Sequence, residues 1–240
     1  MTNKEGMHIM KKYAIKHPVI FELILVVVSL VLTVAVSILL QFLYLSNEIT
    51  MALARIVAGG VLFIVFLYCF KPKKQFSSFP IVLPGLLFAV WNIANCFMSD
   101  GHIEPFSIET LIQAIAPAIF EEVIFREIFI YHLKENGQSP LMCTIISALV
   151  FGLVHLTNVV GASLIQTLIQ VGYAIVVGLV FGAIYTRSDD LIFLIIVHCL
   201  IDLSSRIFVG GTVASYLVFI PFFILLIGES IYAIKLVSKE

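Results

Sequence analysis

Apolar residues occupy most of the chain in eight long runs separated by short polar segments. A helix that spans a bilayer needs about 20 largely apolar residues. The runs lie near residues 19–45, 52–70, 79–98, 108–133, 140–156, 161–186, 190–208 and 212–234. The pattern predicts an all-α fold, a polytopic membrane helix bundle of about eight transmembrane helices that forms a single membrane domain over residues 1–240.

Composition agrees with a membrane protein. Hydrophobic residues make up 61% of the chain and charged residues 12%, whereas soluble domains carry roughly 25% charged residues. The net charge of −1 gives no basis for binding nucleic acid. The apolar run from Leu23 to Leu40 is longer than the roughly 7–15 residues of a signal-peptide core, so we expect a retained first helix. The expected location is therefore the cell membrane, with the lipid bilayer as surroundings.

The placement of Lys and Arg predicts the orientation of the chain, because these residues favour cytoplasmic loops and flanks. With eight spans, most of the 14 basic residues fall on one side. They are Lys4, Lys11, Lys12, Lys16, Lys71, Lys73, Lys74, Lys134, Arg187, Lys235 and Lys239. The remaining three, Arg55, Arg126 and Arg206, lie in or at the ends of spans. Both termini are predicted to be cytoplasmic.

Three of the apolar runs contain ionisable residues that are costly in a membrane. Glu121, Glu122 and Arg126 interrupt the fourth run, His155 ends the fifth, and His198 with Asp202 interrupts the seventh. Each charge costs about 2.5–3.5 kcal/mol at mid-membrane on insertion scales, so such residues are usually paired, inward-facing and functional. We interpret the three sets as one buried polar site.

Helical spacing assigns different jobs to the two glutamates. Residues four apart share a helix face, so Glu122 can pair with Arg126, whereas Glu121 is rotated by roughly 100° and is free to face a cavity. Glu121, His155 and His198 come from three helices, which is how bundles assemble sites in their core. His198 and Asp202 are also four apart, and Asp202 could orient His198 or form part of a polar wall.

Two hydrolytic arrangements fit these residues. In one, Glu121 and His155 hold and deprotonate a water molecule while His198 and Asp202 stabilise the developing oxyanion. In the other, Glu121, His155 and His198 bind Zn²⁺, whose water becomes the nucleophile. The chain has no His-Glu-xx-His helix, which favours the metal-free arrangement and predicts no cofactor. Residue chemistry alone leaves open a hydrolase or an ion or proton pathway.

Two helix features have packing or cavity interpretations. Pro117 lies one turn before Glu121, where a kink either opens space for water or bends the helix for packing. Gly178 and Gly182 have the spacing of a close helix contact. A further polar set could line the cavity or form hydrogen bonds between helices: Asn92, Asn95, Gln166, Gln170 and Tyr173.

The order of the polar motifs resembles the CPBP intramembrane proteases, named for CAAX proteases and bacteriocin-processing enzymes and also called the Abi family. The motifs are Glu121-Glu122-xxx-Arg126, then Phe151-xxx-His155, then His198-xxx-Asp202, and the resemblance covers a core of about residues 80–210. It implies an eight-helix fold with an active cavity inside the membrane.

By position, the resemblance makes Glu121 the catalytic base, His155 its water-positioning partner and His198 with Asp202 the oxyanion-side pair, supported by Glu122 and Arg126. Many relatives have Asn at the position of Asp202; an Asn amide can donate a hydrogen bond, whereas an ionised Asp only accepts one. Family members are often labelled metalloproteases, although a glutamate-activated water is the better-supported mechanism for the CAAX branch.

The resemblance implies a membrane-associated peptide or protein substrate, such as a leader sequence, a bacteriocin or a pheromone precursor. Some relatives act in bacteriocin self-immunity, which is compatible with proteolysis. Two alternatives are kept: a non-catalytic membrane scaffold or immunity protein, and an ion or proton transporter that uses the same buried residues.

Overall fold

The computed structural model describes residues 3–72, 83–98, 100–210 and 216–238, which form a bundle of helices. The helices are α1 (Asn3–Lys16), α2 (Pro18–Leu40), α3 (Asn47–Phe70), α4 (Leu83–Met98), α5 (Ile108–Glu122), α6 (Phe129–Glu135), α7 (Pro140–Val154), α8 (Leu164–Ser188), α9 (Leu191–Ile207) and α10 (Tyr216–Val237). Short 3-10 helices, Gln41–Leu43 and His155–Val160, follow α2 and α7, and a π-helical segment, Val123–Ile128, joins α5 to α6.

The predicted all-α membrane bundle is confirmed. Each of the eight apolar runs contains a long helical segment, with α5, the π-helical segment and α6 forming the fourth. The starts of the third and eighth runs, residues 79–82 and 212–215, lie outside the described residues, as do Lys73, Lys74 and Lys239. By length and composition, four segments of the described chain could cross a membrane: Pro18–Leu43, Asn47–Phe70, Pro140–Val160 and Leu164–Ser188. The count of eight spans and the orientation of the termini stay predictions.

The burial pattern is that of a protein in lipid. Large apolar side chains such as Val31, Ile64 and Ile192 are more than 60% exposed, while Glu122 and Arg126 are fully buried. In water this arrangement would leave apolar surface exposed and charges desolvated. In a bilayer it places the apolar surface against the acyl chains and the charges against each other.

Capping residues fix where the helices around the cavity begin. The Ser107 hydroxyl accepts a hydrogen bond from the Thr110 N–H at 3.0 Å and starts α5. Asp190 does the same for α9 through the Phe193 N–H at 3.0 Å. Ser163 and Gln166 form a capping box at the start of α8. These caps satisfy backbone donors that would otherwise be unpaired.

Helices α7 and α8 pack closely against each other. A methyl group added at Gly178 would lie 2.9 Å from the Cα atom of Ala148, and one added at Gly182 would lie 3.4 Å from the Cα atom of Thr144. The absence of side chains at these two positions lets the helix backbones approach each other. The packing interpretation of this glycine pair is therefore correct. On the other side of the cavity, α5 packs between α3 and α9.

The structure adds two features that the apolar pattern did not predict. The basic helix α1 precedes α2 and is separated from it at His17, where Pro18 starts α2. Two short strands, β1 (His102–Ile103) and β2 (Phe208–Val209), pair antiparallel and tie the segment before α5 to the end of α9. Two-residue strands are too short to produce a period-two pattern in the sequence.

Candidate active site

The three polar motifs meet at one cavity of about 440 Å³ inside the bundle. Its lining includes Glu121 from α5, His155 at the end of α7, and His198 with Asp202 from α9. The side chains of Glu121 and Asp202 are 23% and 27% exposed, whereas that of His198 is 11% exposed. The two carboxylates therefore reach accessible space, while the imidazole is packed into the wall.

Glu122 and Arg126 form a fully buried pair behind this wall. Arg126 Nε lies 3.3 Å from Glu122 Oε2, and the guanidinium carbon lies 4.2 Å from the ring centre of Phe151 and 5.6 Å from that of Phe181. The aromatic faces stabilise the cation where water is excluded. The predicted ion pair four residues apart is present, and its cation is enclosed by rings from α7 and α8.

Glu122 also fixes the orientation of His198. The second carboxylate oxygen, Oε1, lies 2.8 Å from His198 Nδ1. Because an ionised carboxylate only accepts hydrogen bonds, Nδ1 carries a proton and donates it. This bond turns the other ring nitrogen, Nε2, toward Glu121 Oε2 and Asp202 Oδ2, each at 3.8 Å. Neither distance is a direct hydrogen bond, and both are within reach of a bridging group such as water.

Phe151 explains the spacing of the second motif. The His155 ring nitrogen Nδ1 lies 2.9 Å from the backbone oxygen of Phe151, one turn earlier. A carbonyl oxygen accepts, so Nδ1 donates and Nε2 is left for other contacts. The Phe151 ring packs edge to face with the His155 ring, with the ring centres 5.0 Å apart. The same Phe151 ring also contacts the Arg126 guanidinium, whose carbon lies 4.2 Å from the ring centre. One aromatic residue thus positions His155 and packs against the buried ion pair.

The helix backbone is irregular on both sides of the glutamate pair. Pro117 lies inside α5, where it removes the N–H that would bond to the Gln113 carbonyl, and it lines the cavity. The π-helical segment Val123–Ile128 begins directly after Glu122. Single π turns inside α-helices are frequent at functional sites. This placement supports the interpretation that Pro117 helps to open space beside Glu121.

Sequence reasoning missed Glu127, a buried residue within the π-helical segment. Its Oε2 atom accepts a hydrogen bond from the Tyr185 hydroxyl at 2.7 Å. It lines a second cavity of about 310 Å³, next to the pair of Lys134 Nζ and Asp189 Oδ1 at 2.8 Å. The signal was available, because Glu127 follows Arg126 in the same apolar run. Its surroundings separate it from the main cavity.

Comparison with known proteins indicates a family that the chain resembles. Residues 103–204 match the family model described as Type II CAAX prenyl endopeptidase Rce1-like. The matched segment contains all three polar motifs of the cavity. This match supports the resemblance of the chain to the CPBP intramembrane proteases. No curated protein and no solved structure matches the chain significantly.

Asp202 and Glu122 contact opposite sides of the His198 ring. Glu122 makes the hydrogen bond that orients the His198 ring, and Asp202 lies 3.8 Å from the opposite ring nitrogen. Of the two roles that the spacing allowed for Asp202, this geometry favours the polar wall over the orienting contact. An orienting partner 76 residues away could not be recognised from spacing within one helix.

Glu121, His155 and His198 are the side chains from which a zinc site would have to be built. Glu121, His155 and His198 supply suitable donor atoms, with Nε2 of each histidine outside the Nδ1 hydrogen bonds. Within the described ranges of the chain, however, no group of three or more His, Cys, Asp or Glu side chains is arranged so that it could hold a metal ion. In the arrangement described, these three side chains do not form a zinc site.

Proposed function

We propose that the chain is an intramembrane endopeptidase that hydrolyses membrane-associated peptides with a water molecule activated by Glu121. One observation carries the proposal: the His198 ring is fixed by Glu122 at 2.8 Å and presents Nε2 to Glu121 across a 3.8 Å gap at the cavity. A fixed ring and a partly exposed carboxylate on one cavity wall are the groups that amide hydrolysis needs.

Glu121, His198 and a water molecule account for every proton and bond in the proposed amide hydrolysis. The Glu121 carboxylate accepts a proton from water as the water oxygen bonds to the scissile carbonyl carbon. His198 donates to the resulting oxyanion from Nε2, which requires both ring nitrogens to carry protons because Nδ1 donates to Glu122. The C–N bond then breaks, and Glu121 returns its proton to the leaving amine. His155 lines the same cavity and positions the water.

The surroundings of the cavity support a peptide substrate that arrives from the bilayer. Apolar side chains from α2 and α8, including Leu30, Val34 and Val177, line it together with the polar residues. A leader sequence, a bacteriocin or a pheromone precursor has the apolar, extended character that such walls accept. Processing of such a peptide and self-immunity against a bacteriocin are both compatible with this chemistry.

The test compares membranes from cells that express the wild type, Glu121→Gln or Glu109→Gln at matched abundance. Glu109 is an exposed residue of the same helix and serves as the control. Mass spectrometry of membrane peptides should reveal new termini in the wild type and Glu109→Gln but not in Glu121→Gln. Identical termini in all three would refute a Glu121-dependent protease.

The remaining alternatives predict different outcomes. A scaffold or immunity protein would retain its cellular effect in Glu121→Gln. A transporter would show gradient-driven flux in proteoliposomes that depends on Glu121 and His155. Zinc catalysis through Glu121, His155 and His198 would be lost on chelation and restored by Zn²⁺, whereas the glutamate-water mechanism predicts cleavage that is insensitive to chelators.

A further inference from the structure

The helices of the bundle begin and end at two opposite ends, and one of these carries most of the basic residues. We call it the basic end; it holds the ends of α1, α3, α6, α8 and α10 and the starts of α2, α4, α7 and α9. The Asn136 amide donates to the Ile15 carbonyl at 2.8 Å and joins α6 to α1. Arg187 donates to the Leu236 carbonyl and joins α8 to α10. The lysines and arginines of the basic end include Lys11, Lys16, Lys71, Lys134, Arg187 and Lys235.

The opposite end holds the starts of α3, α5, α8 and α10 and the ends of α2, α4, α7 and α9. The Gln113 amide donates to Glu48 Oε2 at 2.7 Å and joins α5 to α3. The Asn158 amide donates to Gln170 Oε1 at 2.9 Å and joins the 3-10 helix after α7 to α8. Among the described residues, the lysines and arginines of this end are Arg55 and Arg206. The two ends of the bundle therefore differ in their content of basic residues.

The main cavity opens at the opposite end. On α3 it is lined by Met51 and Arg55, which lie in the first half of that helix. On α9 its lining runs from His198, near the middle of the helix, to Arg206 in the last turn. Thr157, an exposed residue of the 3-10 helix after α7, also lines it. Within the described ranges, none of the lysines and arginines of the basic end lines this cavity.

Packed apolar side chains close the cavity toward the basic end. On α8, Phe181 lies one turn beyond the cavity-lining Val177 in the direction of the basic end. On α9, Leu194 lies one turn from His198 in the same direction. Phe181, Leu194 and Phe129, which starts α6, are fully buried in one apolar core. Because such interiors are close-packed and burying unpaired polar groups is costly, a peptide backbone cannot reach the cavity through this core.

The difference in charge indicates which end of the bundle faces the cytoplasm. Lysines and arginines in short loops and near the ends of spans favour the cytoplasmic side, whereas acidic residues have little influence. By this rule the basic end is cytoplasmic, which agrees with the predicted location of both termini. The opposite end, where the cavity opens, then lies on the extracytoplasmic side.

We infer that the main cavity opens to the extracytoplasmic side, and that the chain cleaves peptides whose scissile bond has already crossed the membrane. This inference rests on the proposed peptidase function and adds the side of the membrane from which the substrate comes. A translocation reaction, which exports the peptide or inserts it into the membrane, must therefore supply the substrate. A peptide confined to the cytoplasm is separated from Glu121 by the core around Phe129, Phe181 and Leu194.

Cysteine labelling in oriented membrane vesicles tests the side on which the cavity opens, without requiring cleavage. Thr157→Cys places a thiol at the open cavity, and Glu135→Cys places one at an exposed position of the basic end. A membrane-impermeant maleimide should label Thr157→Cys in right-side-out vesicles and Glu135→Cys in inverted vesicles. The wild type gives the background from its own four cysteines, of which three are buried. Val160, which is 93% exposed in the same 3-10 helix as Thr157, provides a second reporter as Val160→Cys if Thr157→Cys does not fold.

Two labelling results would contradict this orientation. Labelling of Thr157→Cys or Val160→Cys only in inverted vesicles would overturn the inference, because the cavity would then open to the cytoplasm. Labelling of the Thr157 and Glu135 variants from the same side would also overturn it, since the two ends of the bundle would not face opposite sides of the membrane.

A second experiment locates the cut itself. Spheroplasts that express the wild type or Glu121→Gln are treated with a membrane-impermeant, amine-reactive biotin, and mass spectrometry identifies new peptide N-termini in the membranes and the medium. We expect the Glu121-dependent N-termini to carry biotin. Glu121-dependent N-termini that become biotinylated only in inverted vesicles would overturn the inference. If no N-terminus depends on Glu121, the proposed function is contradicted, while the labelling result for the side of the cavity stands.

Discussion

Replacing Arg126 by Met should destabilise the protein strongly, because it leaves a buried carboxylate without its cation. Glu122 and Arg126 are both fully buried, and their Oε2 and Nε atoms lie 3.3 Å apart. Removing one partner of a buried ion pair costs about 3–5 kcal/mol. At about 2–4 °C per kcal/mol for a chain of this length, the Tm should fall by about 6–20 °C.

The four cysteines provide the assay, since three are buried and one is half-buried. A thiol-reactive fluorescent dye added to detergent-solubilised protein reports unfolding as these thiols become accessible on heating. The Glu122→Gln/Arg126→Met double variant is the control, because it removes both charges and should unfold at a higher temperature than Arg126→Met alone. A loss of less than about 3 °C in Arg126→Met, or a double variant no more stable than it, would refute the buried-pair reasoning.

Two further predictions concern the orientation of His198 and the packing of α7 on α8. Glu122→Gln weakens the charge-assisted hydrogen bond to His198, and such a bond is worth about 1.5–3 kcal/mol. The kcat/KM for peptide cleavage should therefore fall by about 10–100-fold in protein that is folded to the same extent as the wild type. An unchanged kcat/KM would contradict the orienting role of Glu122. Gly178→Ala should lower the Tm because the new methyl group would lie 2.9 Å from Ala148 Cα, whereas Gly172→Ala, which meets no atom within 4 Å, should keep or raise it. Equal Tm changes in both glycine variants would contradict the packing account.

The fold could be predicted from the sequence because a helix that spans a bilayer needs about 20 largely apolar residues. Apolar runs of spanning length predicted the long helical segments, and the glycine spacing in α8 predicted a close helix contact, whose partner the structure shows to be α7. The π-helical segment after Glu122 was not predictable in this way. Its backbone hydrogen bonds depend on what surrounds it in three dimensions, and its side chains continue the same apolar run as α5.

The candidate site could be predicted in part, because charged residues inside apolar runs are costly in a membrane and are usually functional. The sequence could place Glu121, His155 and His198 together but could not assign the hydrogen bond between Glu122 and His198, whose partners are far apart in the chain. It also could not separate similar polar residues. Gln170 lines the cavity, whereas Gln166 caps α8.

Asn92, at the contact of α4 with α9, shows the same limit. Its side-chain amide donates to the Ser204 hydroxyl at 2.9 Å and to the Ile201 carbonyl at 3.3 Å, which joins α4 to α9. The sequence allowed this bonding between helices and a cavity-lining position equally. Only the neighbouring helix decides between them, because helical spacing does not specify which element lies opposite a side chain.

The central claim is that Glu121 activates the water that cleaves a membrane-associated peptide. The most direct measurement is the rate of peptide cleavage by purified wild-type and Glu121→Gln proteins in liposomes. The substrate is a membrane peptide for which cells that express the wild type, but not Glu121→Gln, show a new terminus. The account predicts cleavage by the wild type and none detectable by Glu121→Gln at an unchanged Tm. A folded Glu121→Gln protein that cleaves within tenfold of the wild-type rate would contradict it.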